Sequence, residues 1–466
     1  MSSFQIVQFG CRATQADAAA IEAQLLAQGL TVAGEAATAD VVVINTCTVT
    51  ASADSQARDA IRKIYGKNPA ARIIVTGCYA QRAPDELAKL PGVSWVVGNS
   101  HKPQIPAVVH SFFAASRNES NFVSLNSLAG SAAGSTESGA AKIITGDIFE
   151  QTFLLSAPVL GGEANHTRPT LKIQDGCNSR CSYCVIPFVR GKSRSLAPDS
   201  VIEEIRKMVS SGFREIILSG INLGSYGRDL SPRVEFADLL VRILEETSLQ
   251  RLRISSIEPF DVTKDLIDLF ASSDRIAQHF HMPLQSGSDR ILAAMHRWYR
   301  AEHYARRVQL IREYLPHAAI GADVIAGFPG ESSADHAATL AFIESLPFTY
   351  LHVFSYSSRP GTKAATLCEQ VDSPTIKNRA RELRALAERK AAAFRNSQIG
   401  RTARVLTLHR NETHRNEKGQ EGFTPALSSN YLRVRVPGKW PPNQWHEVEI
   451  VEEPIFLDSR EFNSRK

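Results

Sequence analysis

An α/β protein built in three successive parts is what the sequence predicts, and three observations predict it. β-branched runs such as Val41-Val42-Val43-Ile44 alternate with helical stretches over the first hundred or so residues. The same alternation resumes at Thr170 and runs to about Gln398. From about Gly400 the pattern changes to polar–apolar alternation broken by Gly and Pro. Near-continuous apolar strands between helices indicate a parallel sheet covered on both faces. Period-two alternation indicates a small antiparallel β-barrel or sandwich.

In the first part, strands are expected at Gln5–Phe9, Asp40–Asn45 and Ala71–Thr76, with helices at Gln15–Gln28, Ser52–Tyr65 and near Asp85–Leu90. A small Rossmann-like unit fits this order. In the second part the candidate strands are Leu171–Gln174, Glu215–Ser219, Arg251–Ser255, Gln278–Met282, Ile320–Ile325 and Leu351–Ser355. One intervening helix, Ser200–Ser211, is expected to open on a Ser200…Glu203 capping box. Six β/α units in succession predict an open, partial (β/α)6 barrel, closed off by a long charged helix over Thr375–Gln398. The tail offers strands at Thr402–Leu408, Tyr431–Val436 and Glu447–Val451. The expected boundaries are therefore 1–113 for the N-terminal sheet domain, 114–167 for a linker, 168–398 for the barrel and 399–466 for the C-terminal β-barrel. The linker assignment rests on a Ser, Ala, Asn and Gly-rich stretch too poor in apolar surface to offset the entropy of ordering it.

The chain has 466 residues, with 53 Lys plus Arg against 48 Asp plus Glu, a formal charge of +5 that permits a nucleic-acid partner without demanding one. A hydrophobic share of 43% with 22% charged residues suits a globular protein with a sizeable core. No run of about 18 apolar residues occurs, so no membrane-spanning helix is expected, and Met1-Ser2-Ser3-Phe4-Gln5 has no look of a secretory signal. Seven cysteines, an odd number, argue against a disulfide framework. They read instead as metal or cluster ligands in a reducing cytoplasm.

Three of the seven sit in Cys177-x3-Cys181-x2-Cys184, directly after a strand. Three thiolates on one tight loop can hold three irons of a 4Fe–4S cluster and leave the fourth open to a small molecule. Structural zinc wants four ligands, and neither a His nor a fourth Cys lies in the loop, so the spacing favours a cluster over zinc. Cys11, Cys47 and Cys78 lie far apart, yet each follows a predicted strand. A parallel sheet would bring those strand ends to one edge. Any one of them alone reads as a small buried apolar residue; three at equivalent positions predict a second three-thiolate cluster. Cys368 matches no ligand pattern and reads as structural.

The loop, with Tyr183 inside it, resembles the signature of radical S-adenosylmethionine (SAM) enzymes. The longer string from Gln174 through Cys184-Val185-Ile186-Pro187-Phe188-Val189-Arg190-Gly191 is similar to the methylthiotransferases within that superfamily. The resemblance implies two [4Fe–4S] clusters and SAM as cofactors. One cluster, on Cys177, Cys181 and Cys184, would bind SAM at its open iron and split it to a 5′-deoxyadenosyl radical. The auxiliary cluster, on Cys11, Cys47 and Cys78, would hold or deliver sulfur. It also implies that the central barrel is a radical SAM core. Ser219-Gly220-Ile221-Asn222 and Asp323-Val324-Ile325-Ala326-Gly327-Phe328-Pro329-Gly330-Glu331 fall after the second and fifth barrel strands, where ligands sit in parallel α/β folds. Tyr183, Gly220, Asn222, Asp323, Gly327, Pro329 and Gly330 are accordingly the expected SAM-binding residues.

Candidate substrates of such enzymes are modified tRNA adenosines and a ribosomal-protein aspartate. Asn45-Thr46-Cys47-Thr48-Val49-Thr50, Gly98-Asn99, and Leu351 through Ser357 with Arg359-Pro360-Gly361-Thr362 resemble the tRNA threonylcarbamoyladenosine branch. That branch implies methylthiolation at C2 of the nucleoside at position 37, with isopentenyl-adenosine or the protein aspartate as alternatives. A non-catalytic metal-binding RNA module is the alternative from another class. The tail resembles the RNA-binding TRAM barrel. Period-two alternation is expected to put Tyr431, Arg433 and Arg435 on one face, suited to phosphate contact and base stacking; Glu447, Glu449, Glu452 and Glu453 temper that basic reading. tRNA, SAM and a reducing flavodoxin- or ferredoxin-like electron donor are the expected partners, in the cytoplasm and without a membrane.

Overall fold

The computed structural model describes residues 2–118, 141–155, 157, 167–409 and 422–452. The chain divides into two compact units. One comprises Met1–Gln151 with Phe188–Gly191, the other Thr152–Pro187 with Lys192–Lys466.

The first unit runs β1 (Ser3–Gln8), α1 (Arg12–Ala27), β2 (Thr31–Val32), β3 (Val41–Thr46), α2 (Ala51–Lys67), β4 (Arg72–Gly77), α3 (Cys78–Arg82), α4 (Pro84–Ala88), β5 (Val93–Gly98), α5 (Ile105–Asn118) and β6 (Lys142–Ile144). Its six strands form one parallel sheet in the order β2-β1-β3-β4-β5-β6. Every residue of β3 is buried, as expected of a strand with helices on both faces. Val42, Ile44, Ile73, Val75 and Val96 join Ala57 and Ile61 of α2 in one core cluster. Three strands of this unit escaped the sequence reading: β2, only two residues long, β5 and β6. β5 lies close behind a helix and was not separated from it. β6 lies inside the segment expected to be linker, where three residues were too short a run to register; residues 119–140 of that segment lie outside the described ones.

The second unit begins β7 (Thr170–Lys172), β8 (Gln174–Asp175), α6 (Ile186–Arg190, whose last residues group with the first unit), β9 (Arg194–Ser195), α7 (Pro198–Ser210), β10 (Glu215–Ser219), α8 (Phe236–Glu246) and β11 (Arg251–Ile254). It continues α9 (Lys264–Ser272), β12 (His279–His281), α10 (Asp289–Ala294), α11 (Ala301–Tyr314), β13 (Ala319–Ala326), α12 (Ser333–Ser345), β14 (Tyr350–Ser355) and α13 (Ser373–Asn396). Strands β11-β10-β7 and β12-β13-β14 are two parallel three-stranded sheets. Parallel bridges Leu252↔Ile276 and Ser256↔His281 join them, giving six strands in the order of an open barrel. α7 starts earlier than the expected capping box. Pro198 opens it and the Ala197 cap makes no side-chain bond, so Pro at the first turn, not Ser200, sets the start.

The tail forms β15 (Thr402–Thr407), β16 (Phe423–Ser428), β17 (Arg433–Pro437) and β18 (Trp445–Glu449), an antiparallel sheet ordered β17-β16-β15-β18. Val405, Ala426, Val434 and Val436 form its core. Residues 410–421 and 453–466, including Glu453, lie outside the described ones. This sheet is riveted to the barrel strands. Glu215, wholly buried, accepts from Arg251 Nε at 2.5 Å and from Arg253 Nε at 2.7 Å. The two guanidiniums then donate to the tail's carbonyls, Arg251 to Leu427 O at 3.0 Å and Arg253 to Ser428 O at 2.9 Å. Burial alone would push the Glu215 carboxyl up, but Arg251, Arg253 and Arg168 hold it well below the usual carboxylate range.

Candidate active site: two sets of converging thiols

Register explains how Cys11, Cys47 and Cys78 meet. Gln8 pairs with Asn45, Asn45 with Thr76, and Thr46 with Gly77, so three neighbouring strands end at one level. Each cysteine follows its strand directly or after two intervening residues: Cys11 caps α1, Cys47 follows β3, and Cys78 opens α3. The turns are tight enough to need glycine. Gly10 has φ +108°, and a Cβ on it would lie 2.9 Å from the Cys47 sulfur. Gly77 has φ +100°, and its Cβ would lie 2.3 Å from the Thr46 carbonyl.

The three thiols share one electrostatic environment. Burial pushes the Cys47 thiol up to about 12, and negative charge on Cys11 and Cys78 pushes it the same way. Burial also acts on Cys11, but the Arg190 guanidinium and a hydrogen bond with Thr14 at 3.5 Å outweigh it and leave that thiol below its ordinary value. Arg190 is pinned by Asp17 at 3.1 Å, which also pairs with buried Lys102 at 2.8 Å. Asn99 donates to the Cys78 sulfur at 3.6 Å and to Val189 O at 2.7 Å. The Arg190 guanidinium beside the thiols favours their ionised form and suits the negatively charged clusters that thiolates hold. Sequence reasoning passed over Asp17 and Lys102 and quoted Arg190 and Asn99 only within family-like strings, because only the fold brings them to the strand ends.

In the second unit Cys177, Cys181 and Cys184 lie on the loop between β8 and α6. Charge on Cys181 and Cys177 reinforces burial in pushing Cys184 up to about 12. Burial raises Cys181 against the pull of Arg297, which donates to its sulfur at 3.3 Å. Arg297 also pairs with Glu258. The loop is tied down through Ser182, whose N–H donates to Met295 O at 3.0 Å and whose hydroxyl donates to Ala294 O at 2.8 Å. Tyr183 packs against the cluster of Ile291, Met295, Phe328 and Ala364. Cys368 is exposed, so the structural role expected for it is not a core one.

The remaining expected SAM residues divide. Asn222 follows β10; its N–H donates to Gln174 Oε1 at 2.8 Å, while its own Oδ1 is buried without a hydrogen-bond partner. An orphaned acceptor at a strand's carboxyl end fits a polar ligand group. Gly220 is crowded, its Cβ position 3.0 Å from Gln174 Oε1. Gly327 and Gly330 have φ +78° and +81°, and a Cβ on Gly327 would strike Ile376 at 2.3 Å. Those two glycines around Phe328-Pro329 therefore have a folding reason apart from any ligand. Asp323 lies lower on β13, its carboxylate 3.1 Å from His281 and 3.2 Å from His352.

Tyr431 corrects an expectation. It precedes β17 with φ +63°, so it does not belong to the strand face of Arg433 and Arg435. Its ring stacks on His279 at 4.4 Å and takes Arg253 over its face at 5.3 Å. Arg433 and Arg435 are half-buried, alternating with buried Val434 and Val436.

Comparisons with known proteins bear on this geometry. Residues 3–98 match the family described as Uncharacterized protein family UPF0004, and residues 171–343 match the Radical SAM superfamily. The chain is 36% identical to the threonylcarbamoyladenosine tRNA methylthiotransferase MtaB of Aquifex aeolicus, over 92% of this chain and 95% of that one. The chain belongs to the radical SAM methylthiotransferases. It is thus an enzyme and a transferase, most similar to the MtaB branch, with 34% identity to the Bacillus subtilis protein of that name over 90% of each chain. It is also 36% identical to the tRNA-2-methylthio-N(6)-dimethylallyladenosine synthase of Syntrophobacter fumaroxidans, over 78% of this chain and 75% of that one. The methylthiotransferase fold is shared with the radical SAM methyltransferase TsrM of Kitasatospora setae, at a TM-score of 0.55 and 16% identity over 78% of this chain and 77% of that one. Among the described residues, no helix is long and apolar enough to cross a membrane.

Proposed function

We propose that this methylthiotransferase adds a methylthio group to C2 of N6-threonylcarbamoyladenosine at position 37 of tRNA, using SAM and two [4Fe–4S] clusters. The observation that carries the reading is the presence of two separate thiol trios, one at the carboxyl ends of three parallel strands and one on the loop after β8. When bound, SAM and the clusters supply a hydrogen-abstracting radical and the sulfur to be inserted.

The chain's own residues have distinct parts. Cys177, Cys181 and Cys184 hold one cluster through three sites, leaving a corner for SAM's amino and carboxylate groups. Arg297, donating to the Cys181 sulfur, stabilises the thiolate form against burial. Tyr183, Gly220, Asn222, Gly327, Pro329 and Gly330 would border bound SAM, and the orphaned Asn222 carboxamide oxygen would be free to accept a hydrogen bond from it. Cys11, Cys47 and Cys78 hold the second cluster. Arg190 keeps Cys11 ready to ionise, and the proton held by Cys47 must leave when metal binds. Arg433 and Arg435 offer charge to the RNA backbone. Electrons come from a flavodoxin- or ferredoxin-like donor in a reducing cytoplasm.

The threonylcarbamoyl assignment is supported by the names of the Aquifex aeolicus and Bacillus subtilis relatives and by the strings around Cys47 and His352. The Syntrophobacter fumaroxidans relative favours dimethylallyladenosine as the second reading. Nucleoside mass spectrometry of tRNA from a deletion strain decides between them. Loss of methylthio-threonylcarbamoyladenosine is expected; loss of the dimethylallyl form instead, or of neither, would overturn the assignment.

A further inference from the structure

We propose that the barrel interior carries a mononuclear divalent-metal site built from His281, Asp323 and His352, separate from the thiol trios. The three side chains come from three adjacent strands, β12, β13 and β14, and register brings them to one layer. His281 pairs with Gly321 and Asp323 with His352. On β13, Ala322 and Val324 pack into the core, so Asp323 and Ile325 take the opposite face, towards the inside of the barrel.

The donor spacing is that of a coordination shell. His281 Nε2 lies 3.1 Å and His352 Nδ1 3.2 Å from the same oxygen, Asp323 Oδ1. All three donor atoms lie within 4.8 Å of one another. Bonds of about 2.0–2.1 Å at a tetrahedral angle put ligand atoms about 3.3 Å apart. A hydrogen-bonded triad does not account for His281. That residue is 4% exposed, and its Nε2 has no hydrogen-bond partner despite the nearby carboxylate, because the ring is not aimed for one.

The other nitrogen of His281 is fixed from outside. Its Nδ1 shares a hydrogen bond with the Tyr350 hydroxyl at 2.9 Å, and the same hydroxyl meets His279 Nε2 at 2.7 Å. Tyr350 can lie there because position 321 is glycine; a Cβ would sit 2.0 Å from its ring. An imidazole held by one nitrogen with the other left for a ligand is the usual arrangement around a metal-binding histidine.

Charge selects the ligand class. One carboxylate and two neutral imidazoles carry a net −1, which attracts a dication and repels an anion. Imidazole with carboxylate suits zinc, iron(II), cobalt(II) or manganese(II) and not a thiolate-loving ion. The Asp323 and His352 side chains are 18% and 20% exposed, so the site opens to the barrel interior. Three protein donors leave a coordination position for water or a substrate atom.

Cobalt(II) is the probe. Full-length protein is reconstituted with iron and sulfide, loaded with cobalt(II) and passed through a desalting column. About one cobalt per chain is expected, with visible ligand-field bands and no sulfur charge-transfer band. His352→Ala and Asp323→Asn should each weaken cobalt binding by 100-fold or more, with iron, sulfide and melting temperature unchanged. Tyr350→Phe should weaken it by about 10-fold, as loss of an outer hydrogen bond does. Because Asp323 and His352 are partly exposed, these variants keep the test alive if His281→Gln fails to fold. A wild-type protein that retains no cobalt, cobalt showing a thiolate band, or equal retention by His352→Ala and Asp323→Asn would each overturn the proposal. The site does not depend on which nucleoside the enzyme modifies.

Discussion

Cys177, Cys181 and Cys184 fall within eight consecutive residues, whereas Cys11, Cys47 and Cys78 are delivered by three strands of a sheet. Each set contains one thiol that burial lifts to about 12. Each also has an arginine working the other way, Arg297 on Cys181 and Arg190 on Cys11. The difference lies in what fixes the geometry. The local set is positioned by one loop, anchored through Ser182 to the end of α10. The dispersed set exists only while β1, β3 and β4 keep register, since a slip of one residue would turn every side chain to the other face. A local motif is readable as a string; a dispersed one must be inferred from where strands end.

That contrast is broken most directly by removing sulfur. Cys181→Ala should abolish SAM cleavage while leaving the N-terminal iron, and Cys47→Ala should leave SAM cleavage but stop methylthiolation. In each, iron should fall from about eight to about four per chain; a variant that loses both clusters at once would show that the sets are not independent. Next in size is Gly77→Ala. With φ +100° and a carbonyl 2.3 Å from the new Cβ, it should destabilise the N-terminal unit by about 3 kcal/mol. Iron should be lost from the dispersed set only, as resolved by electron paramagnetic resonance.

Glu215→Gln is the control away from both sets. It strands two buried guanidiniums and should cost the second unit about 3 kcal/mol at neutral pH in denaturant unfolding. The folded carboxyl lies below its unfolded value, so its stabilisation is present above the ordinary glutamate range and is lost on acidification below it. The gap between wild type and variant should therefore shrink as pH falls below that range; a gap independent of pH would contradict the ion-pair account. Smallest is Arg190→Gln. Losing the cation beside Cys11 should raise that thiol and slow its alkylation in metal-free protein at neutral pH, with Cys177 alkylated at an unchanged rate.

The fold was legible where apolar runs were long. Val41–Ile44 and Glu215–Ser219 could be read as buried strands because nothing polar interrupts their cores. β16 escaped because Pro425 sits inside it and proline argues against a strand. Tyr431 was placed on a strand by alternation, but a left-handed backbone at that residue turns it out of the ladder. Of the site, the cysteines were visible because thiols at strand ends are chemically conspicuous. Arg190, Asp17 and Lys102 were not, since a lone charge in sequence looks like any solvated side chain until folding buries it. Nor was the meeting of His281, Asp323 and His352: Asp323 was expected at SAM and His352 stood only in a family-like string, and the three come together only across three strands.

The rivet formed by Arg251 and Arg253 constrains how this architecture can be recombined. Arg251 and Arg253 grip the tail sheet by its main-chain carbonyls at Leu427 and Ser428, while the side chains of Asn430, Tyr431 and Asn443 add contacts to the barrel. A grafted terminal module would have to carry those oxygens to the two arginines and also place partners against His317, His279 and Gly212. Shuffling such modules among enzymes becomes a question of backbone path and a few matching side chains, leaving the rest of the sheet at liberty to diverge.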